Sequence, residues 1–322
     1  MRIIKQLTAL VVLVFAVAVV TTSAQQSQTG SGLSISPTLS EFTLKPGEAD
    51  TVDITLKNIT VGDIIAQAYL NDFAADNETG SPKIIVDPNK QSPNSIKNFV
   101  VDLDDVPLAK GEQKKINVLI QVPASTTPGA YFGVIRYKAV PANDQGPKEG
   151  EVSLSASVGT IVLVTVPGTI TEQVELTGLH IYQGDKEALL FTKQPNEAGV
   201  EIKNLGNGFV KPYGTVEIRN MFGEVAYSYQ LNNNNPRANI LPGSSRIFKD
   251  EIRNINKFGR YTMSASVTYG NGSEILVMEK TFWYLPLWLI AVIVAIVIAL
   301  IAGLLWAFRS YRRSSKHGYH RK

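Results

Sequence analysis

His180 is the one histidine lying between the two long apolar segments of this 322-residue chain, and histidine is the commonest general base near neutral pH. A Ser-His-Asp relay built on it would need an exposed nucleophile, yet the sequence has no Gly-x-Ser-x-Gly elbow. Beside Ile181 and Tyr182, His180 reads as a structural residue at a strand end. Zinc needs a set of nitrogen and sulfur ligands that one histidine and no cysteine do not supply. Carboxylates gather at Asp102, Asp104 and Asp105, and again at Asp72, Asp76 and Glu78, in polar stretches whose oxygens would suit Ca²⁺. Neither has Asp-x-Asp-x-Asp-Gly spacing. A charged strand edge that discourages edge-to-edge pairing accounts for the first cluster, and a turn for the second. Retaining glycoside hydrolysis would need two carboxylates about 5 Å apart, and nothing in the sequence favours such a pair.

Gly206-x-Gly208 lacks the third glycine of a dinucleotide fingerprint, since position 211 is Lys211, so it reads as a turn. The run Asn232 to Asn235, followed by Pro236, reads as an exposed loop. Tyr69, Phe73, Tyr131, Tyr213 and Tyr229 could stack on sugar rings, but most of them are needed for a core. Sequons at Asn58, Asn77 and Asn271 are what chance gives in an Asn- and Thr-rich chain. The sequence therefore nominates no catalytic, cofactor-binding or metal-binding residue.

The elements that would position any site are strands. Asp50 to Leu56 alternates Val52, Ile54 and Leu56 with Thr51, Asp53 and Thr55, and Lys115 to Val122 repeats the rhythm. Such period-two patterning between Pro, Gly, Asn and Asp clusters predicts half-buried strands in antiparallel sheets. Tyr131 to Val140 and Val152 to Val166 are longer strands joined by a polar loop from Pro141 to Gly150, and Val158 to Val166 is apolar enough to be central. Phrases recur. Leu56-Lys57-Asn58-Ile59 has a counterpart in Ile202-Lys203-Asn204-Leu205. Ala109-Lys110-Gly111-Glu112 and Pro128-Gly129-Ala130-Tyr131 match Leu241-Pro242-Gly243-Ser244 and Phe258-Gly259-Arg260-Tyr261. The fold class expected is all-β, two tandem immunoglobulin-like β-sandwiches over 32–167 and 168–282, plus one C-terminal transmembrane helix.

Two apolar segments frame the sandwiches. Arg2 and Lys5 with the run Leu7 to Val20 and the small-residue exit Thr22-Ser23-Ala24 predict a signal peptide over 1–24. Leu285 to Phe308 has no charge and is long enough to cross a bilayer. Trp283, Tyr284 and Trp288 at one end and Trp306 at the other form an aromatic belt. Six basic residues follow in the tail 309–322, fixing it inside by the positive-inside rule, and His317 and His320 belong to that cationic tail. The stretch from Gln25 to Phe282 carries 28 acidic against 23 basic residues, a net of −5, so no basic surface offers itself to nucleic acid. The absence of cysteine leaves stability to packing and favours a bacterial exported protein over an animal immunoglobulin domain.

In order along the first half, Glu41-Phe42-Thr43-Leu44-Lys45-Pro46-Gly47, Ile54-Thr55-Leu56-Lys57-Asn58, Leu108-Ala109-Lys110-Gly111-Glu112, Val122-Pro123 and Gly129-Ala130-Tyr131-Phe132-Gly133-Val134-Ile135 resemble the peptidoglycan-binding domain of the WxL-interacting proteins. The second half resembles their host-binding domain more loosely. The resemblance implies a Gram-positive-type surface protein that contacts the cell wall through its first domain. Through its second it would hold WxL-type surface proteins or a host matrix protein. The expectation is a noncatalytic, single-pass adhesion or scaffold protein of the cell membrane with its N-terminal portion outside. The alternative is the extracellular subunit of a signalling or secretion complex, with a wall hydrolase as the third reading. Neither cofactor nor metal is expected.

Overall fold

The computed structural model describes residues 32–87, 90–142, 157–270, 272 and 274–316. The expected signal peptide, the strand start at Val152 to Ala156, most of the Pro141 to Gly150 loop, Asn271, His317 and His320 lie outside the described residues.

The first sandwich comprises β1 (Leu33–Ser36), β2 (Leu39–Thr43), β3 (Ala49–Asn58), β4 (Ile64–Ala75), β5 (Pro82–Ile85), β6 (Val100–Val101), β7 (Val106–Leu108), β8 (Gln113–Gln121), β9 (Gly129–Pro141) and β10 (Ser157–Val166). One sheet runs β1-β3-β8-β6 and the other β2-β10-β9-β4-β5, with β7 also on β4. The second sandwich comprises β11 (Val174–Gln183), β12 (Lys186–Glu187), β13 (Leu190–Phe191), β14 (Glu197–Asn204), β15 (Tyr213–Asn220), β16 (Val225–Leu231), β17 (Ser245–Glu251), β18 (Gly259–Thr268) and β19 (Ile275–Tyr284). Its sheets run β12-β11-β14-β17 and β13-β19-β18-β15-β16. The strand series β2-β10-β9-β4-β5 and β13-β19-β18-β15-β16 therefore correspond one to one, so the repeated phrases reflect a repeated topology.

Each sandwich closes on its own core. Val52, Ile54, Leu56, Ile120, Ile135 and Val164 fill the first, and Ile181, Val200, Ile202, Val216, Met263 and Phe282 the second. The alternating residues Val52, Ile54 and Leu56 are buried as their period-two placement requires. The turns that reverse the chain before β3, β8 and β17 place Gly47, Gly111 and Gly243 at φ +86°, +75° and +71°. That left-handed region is open to glycine at little cost.

Two features depart from the sequence reading. The sheets are not wholly antiparallel, because β2 lies parallel to β10 and β13 parallel to β19. Hydrophobic alternation encodes which face a residue takes and is silent on strand direction. The helix α1 (Leu287–Lys316) also runs past the apolar segment into the basic residues from Arg309. Lysine and arginine in a last turn complement the negative end of the helix dipole, so nothing in the composition forces a stop at the membrane boundary. Within it, Leu287–Arg309 is long and apolar enough to span a bilayer.

Candidate functional site

The outer face of the larger first sheet is apolar as well. Phe73, Phe132, Val134 and Leu163 point away from the first core and are buried with Leu241 of the second sandwich, with Phe209 packed alongside. The Phe73 and Phe132 ring centroids lie 5.0 Å apart, and Phe132 and Phe209 6.2 Å apart. This seam explains why β10 is apolar on both faces. Polar contacts surround it. Glu41 takes Lys211 Nζ at 2.6 Å on one carboxylate oxygen and Asn239 Nδ2 at 2.8 Å on the other. Lys249 Nζ stands 3.0 Å from Glu78 Oε1, and the Ile247 amide donates to the Glu78 carbonyl at 2.8 Å. The Ala130 amide donates to the Asn207 carbonyl, also at 2.8 Å. Half-exposed ion pairs add little each, so the seam and the backbone bonds hold the two sandwiches at one angle.

Besides a concavity of about 470 Å³ lined by Glu78, Gln230, Asn232, Arg246, Lys249 and Asp250, two more stand out. A cavity of about 500 Å³ opens at the junction, lined by apolar Phe42, Leu163 and Phe209 and by charged Glu41, Lys211 and Arg237. The Arg237 guanidinium sits 4.2 Å from the Tyr213 ring centroid, a cation–π placement. Charges of both signs meet there, and Glu41 is already engaged on both oxygens.

The second, of about 330 Å³, is confined to the first sandwich beside the β8–β9 connection. Gln91, Ser92, Ser95, Asn98, Ser125, Thr126 and Thr127 line it with Tyr131 and Phe99, and no lining side chain is charged. Its walls are fixed from behind. Asp72 is fully buried, accepts the Ser92 amide at 3.0 Å and pairs with Lys97 at 3.2 Å. Asn94 donates to the Ala130 carbonyl at 2.8 Å, and the Phe132 amide donates back to the Asn94 carbonyl at 2.8 Å. Tyr131 packs on Phe99 at 5.0 Å between ring centroids while its hydroxyl donates to the Thr127 carbonyl at 3.0 Å. Hydroxyls and amides both donate and accept, so the groove offers uncharged hydrogen-bonding groups of both kinds.

The residues singled out in the sequence fall elsewhere. Asp72 does not share a polar loop with Asp76 and Glu78, because β4 continues through it and turns it inward. Asp76 caps the following turn by accepting the amides of Glu78 and Thr79. Those amide bonds, together with the Lys83 ammonium at 3.0 Å, hold its carboxyl below the usual range. Asp105 accepts the Ala68 amide at 2.8 Å, which makes it an edge cap beside Asp104, and Asp102 sits at φ +53°. Among the described residues, no group of three histidine, aspartate or glutamate side chains is placed to hold a metal ion. His180 stands between Glu187 Oε1 at 3.0 Å and Glu201 Oε2 at 3.3 Å. Burial pushes the Glu187 carboxyl up, but bonds from His180 and Lys280 outweigh it and the net shift is downward.

The Gly206 to Gly208 segment is the turn expected, closed by Asn204. Asn232 is not an exposed loop residue. It is buried at φ +51°, with Nδ2 donating to the Pro212 and Ala238 carbonyls. Of the aromatics, Phe73 belongs to the seam, Tyr131 walls the groove, Tyr213 carries Arg237, and Tyr69 lies under Arg136. Burial raises the Tyr229 phenol far above its ordinary value. Sequence reasoning passed over Lys211, Arg237 and Asn239 because they stand far along the chain from Glu41, and no local pattern marks them.

Fold and junction together define a two-sandwich immunoglobulin-like protein carrying one apolar helix that fits a single-pass membrane anchor. No protein-family model matches the chain, and a search of curated proteins returns no match. Among solved structures it is similar to the class 5 fimbriae chaperone CfaA, at 14% identity over 79% of this chain and 100% of that one, with a TM-score of 0.38. It is similar also to the E. coli chaperone DraB, at 14% identity over 79% and 98%, with a TM-score of 0.35. The Pseudomonas aeruginosa CupB2 chaperone follows at 9% over 77% and 99%, with a TM-score of 0.31. At these identities and scores the likeness says nothing of activity or partner.

Proposed function

We propose that the protein is a noncatalytic, membrane-anchored surface scaffold whose first sandwich binds cell-wall glycan and whose second presents a face to a surface or host protein. The observation that carries this reading is the uncharged groove walled by Ser92, Ser95, Asn98, Thr126 and Tyr131. Its hydrogen-bonding groups are held rigid by Asp72 and Asn94, so little ordering entropy is lost when a sugar docks. The groove lies in the half of the chain that resembles the peptidoglycan-binding domain of WxL-interacting proteins. The basic residues after Phe308 support an outside location for both sandwiches, and the apolar run at Leu7 to Val20 supports export.

Sedimentation of the detergent-solubilised full chain with isolated peptidoglycan tests the proposal. The wild type is expected in the pellet, and Thr126→Arg or Asn98→Trp, which fill or charge the groove, in the supernatant. A wild-type chain that stays in solution overturns wall binding. Release of soluble muropeptides by the same protein overturns the noncatalytic reading.

A further inference from the structure

The second sandwich meets the membrane helix without a linker. β19 ends at Tyr284, the Leu285 amide donates to the Phe191 carbonyl at 2.8 Å, and α1 begins at Leu287 after Pro286. The register fixes which loops share that end. Tyr284 pairs with Gly259 and Trp283 with Arg260 at the start of β18, Tyr261 of β18 pairs with Asn220 at the end of β15, and Leu190 pairs with Trp283. The β15–β16 turn, the residue before β18 and the β13 edge thus stand beside the exit to the helix.

That end is apolar. Phe222 is 72% exposed at the tip of the turn, and Phe258, Met221, Trp283 and Leu190 are each about half exposed. Large side chains at a hairpin tip are unusual where Asn, Gly and Asp serve best in water. The tip is also rigid. The Asn220 side-chain oxygen accepts the Phe222 amide at 2.9 Å and the Glu224 amide at 3.1 Å, and Gly223 takes φ +84°. Met221 lies directly against Gly259, which ties the turn to the Phe258 loop. Phe258 in turn packs edge-on against Trp288, ring centroids 6.0 Å apart, and Trp288 is the second residue of the span. A tryptophan at the end of a membrane span sits at headgroup depth. Phe258 therefore reaches that depth too.

We propose that this end of the second sandwich is itself a lipid-contacting surface. Phe222 and Phe258, with Met221 and Trp283, enter the outer headgroup region and set the sandwich in one orientation on the bilayer, as a second contact beside the helix. The occupant is lipid because the patch is continuous with the membrane span through the Phe258–Trp288 contact and no linker lifts it away. The one acidic group on the β15–β16 tip, Glu224, is paired with Lys257 at 2.7 Å, so no unpaired carboxylate stands on the tip itself. The proposal is independent of wall binding.

The chain has no cysteine, so single labelled sites are unambiguous. Full-length Phe222→Cys, Leu189→Cys and Asn234→Cys, each carrying a bimane label, are reconstituted in phosphatidylcholine nanodiscs with a nitroxide placed just below the headgroup. Leu189→Cys lies at the same end and keeps both phenylalanines, while Asn234 follows the far end of β16. Several-fold stronger lipid quenching, with matching protection from iodide, is expected at positions 222 and 189 relative to 234. Lipid quenching at either site supports the proposal. Iodide access at both sites equal to that at position 234 overturns it, and a protein partner then becomes the cover for this end.

Discussion

Asn58 and Asn204 occupy the same place in the two sandwiches and close the same turn with the same bonds. Each is wholly buried. Asn58 Nδ2 donates to the Gly62 carbonyl at 2.8 Å and Asn204 Nδ2 to the Gly208 carbonyl at 2.8 Å, four residues on in both cases. Each Nδ2 also crosses to the next sheet strand's approach, Asn58 to the Ala109 carbonyl at 3.0 Å and Asn204 to the Ile240 carbonyl at 3.0 Å. Each Oδ1 accepts an amide two residues on, from Thr60 at 2.8 Å and from Gly206 at 2.9 Å. The sequon at Asn58 is thus a turn-closing device, with the Thr60 hydroxyl spent on the same Oδ1 at 2.6 Å.

Replacing Asn204 strands two buried carbonyls, and replacing Asn58 strands the buried Leu108 carbonyl and two that are part-buried, Gly62 and Ala109. Asn204→Ala is expected to cost about 2–4 kcal/mol, more than one ordinary hydrogen bond, because both partner carbonyls are buried. Asn58→Ala should cost less, about 1–3 kcal/mol, because Gly62 and Ala109 are exposed and water can take over their carbonyls. Hydrogen exchange should report the loss in the first sandwich for the one and the second for the other. Unchanged protection near residues 108 and 240 would sink the equivalence.

The corner tyrosines form a second matched pair of unequal weight. Tyr261 donates to the Lys257 carbonyl at 2.6 Å and stacks on Phe282 at 5.4 Å, almost wholly buried, whereas Tyr131 makes its bond to Thr127 half-exposed. Both bonds run back four residues, the pattern of a tyrosine corner. Tyr261→Phe is expected to lower stability by about 1–1.5 kcal/mol and Tyr131→Phe by less, since water replaces an exposed bond more readily. Chemical denaturation of the two variants decides the order.

At the junction, the apolar seam should outweigh the ion pairs. Glu41→Ala removes both the Lys211 and Asn239 contacts at a half-exposed site, and an effect of at most about 1 kcal/mol follows. Leu241→Asp buries a charge with no partner against Phe73, Phe132 and Leu163 and should part the sandwiches. Small-angle scattering and protease cleavage between residues 167 and 173 are the readouts. A larger change for Glu41→Ala than for Leu241→Asp would reverse this ranking.

Much of the architecture is legible along the chain because it is local. The alternation at Asp50 to Leu56 places β3, and the Pro-Gly, Lys-Gly and Lys-Asn phrases mark turns whose bonds close within a few residues. Even the central position of Val158 to Val166 follows from its unbroken apolarity, and β10 does lie between β2 and β9. What the chain does not announce is assembled from distant parts. Phe73 and Phe132 look alike whether they face a core, a sugar or a second domain, and only the arrival of Leu241 decides. The groove joins Ser92 and Asn98 to Thr126 across two connections, none of them distinctive alone. Asp72 reads as a solvated loop residue until β4 carries it inside and Lys97 folds over it.

Asp250 supplies a test of pH dependence in the second sandwich. It lies on β17 opposite Ala198, and burial alone raises its pKa above the ordinary aspartate value. The native state therefore holds its proton to higher pH than the unfolded chain does. Between the two pKa values the native form binds more protons, so stability falls as pH rises through that window and the full penalty is present at neutral pH. Removing the charge should remove the penalty: Asp250→Asn is expected to melt above the wild type at pH 7, by a small margin because the site is half-exposed. On acidification below the ordinary aspartate range the two curves should converge, since the wild-type carboxyl is then neutral in both states. A variant less stable than the wild type at pH 7, or an advantage that persists undiminished in acid, would show that the Asp250 charge is not the cause.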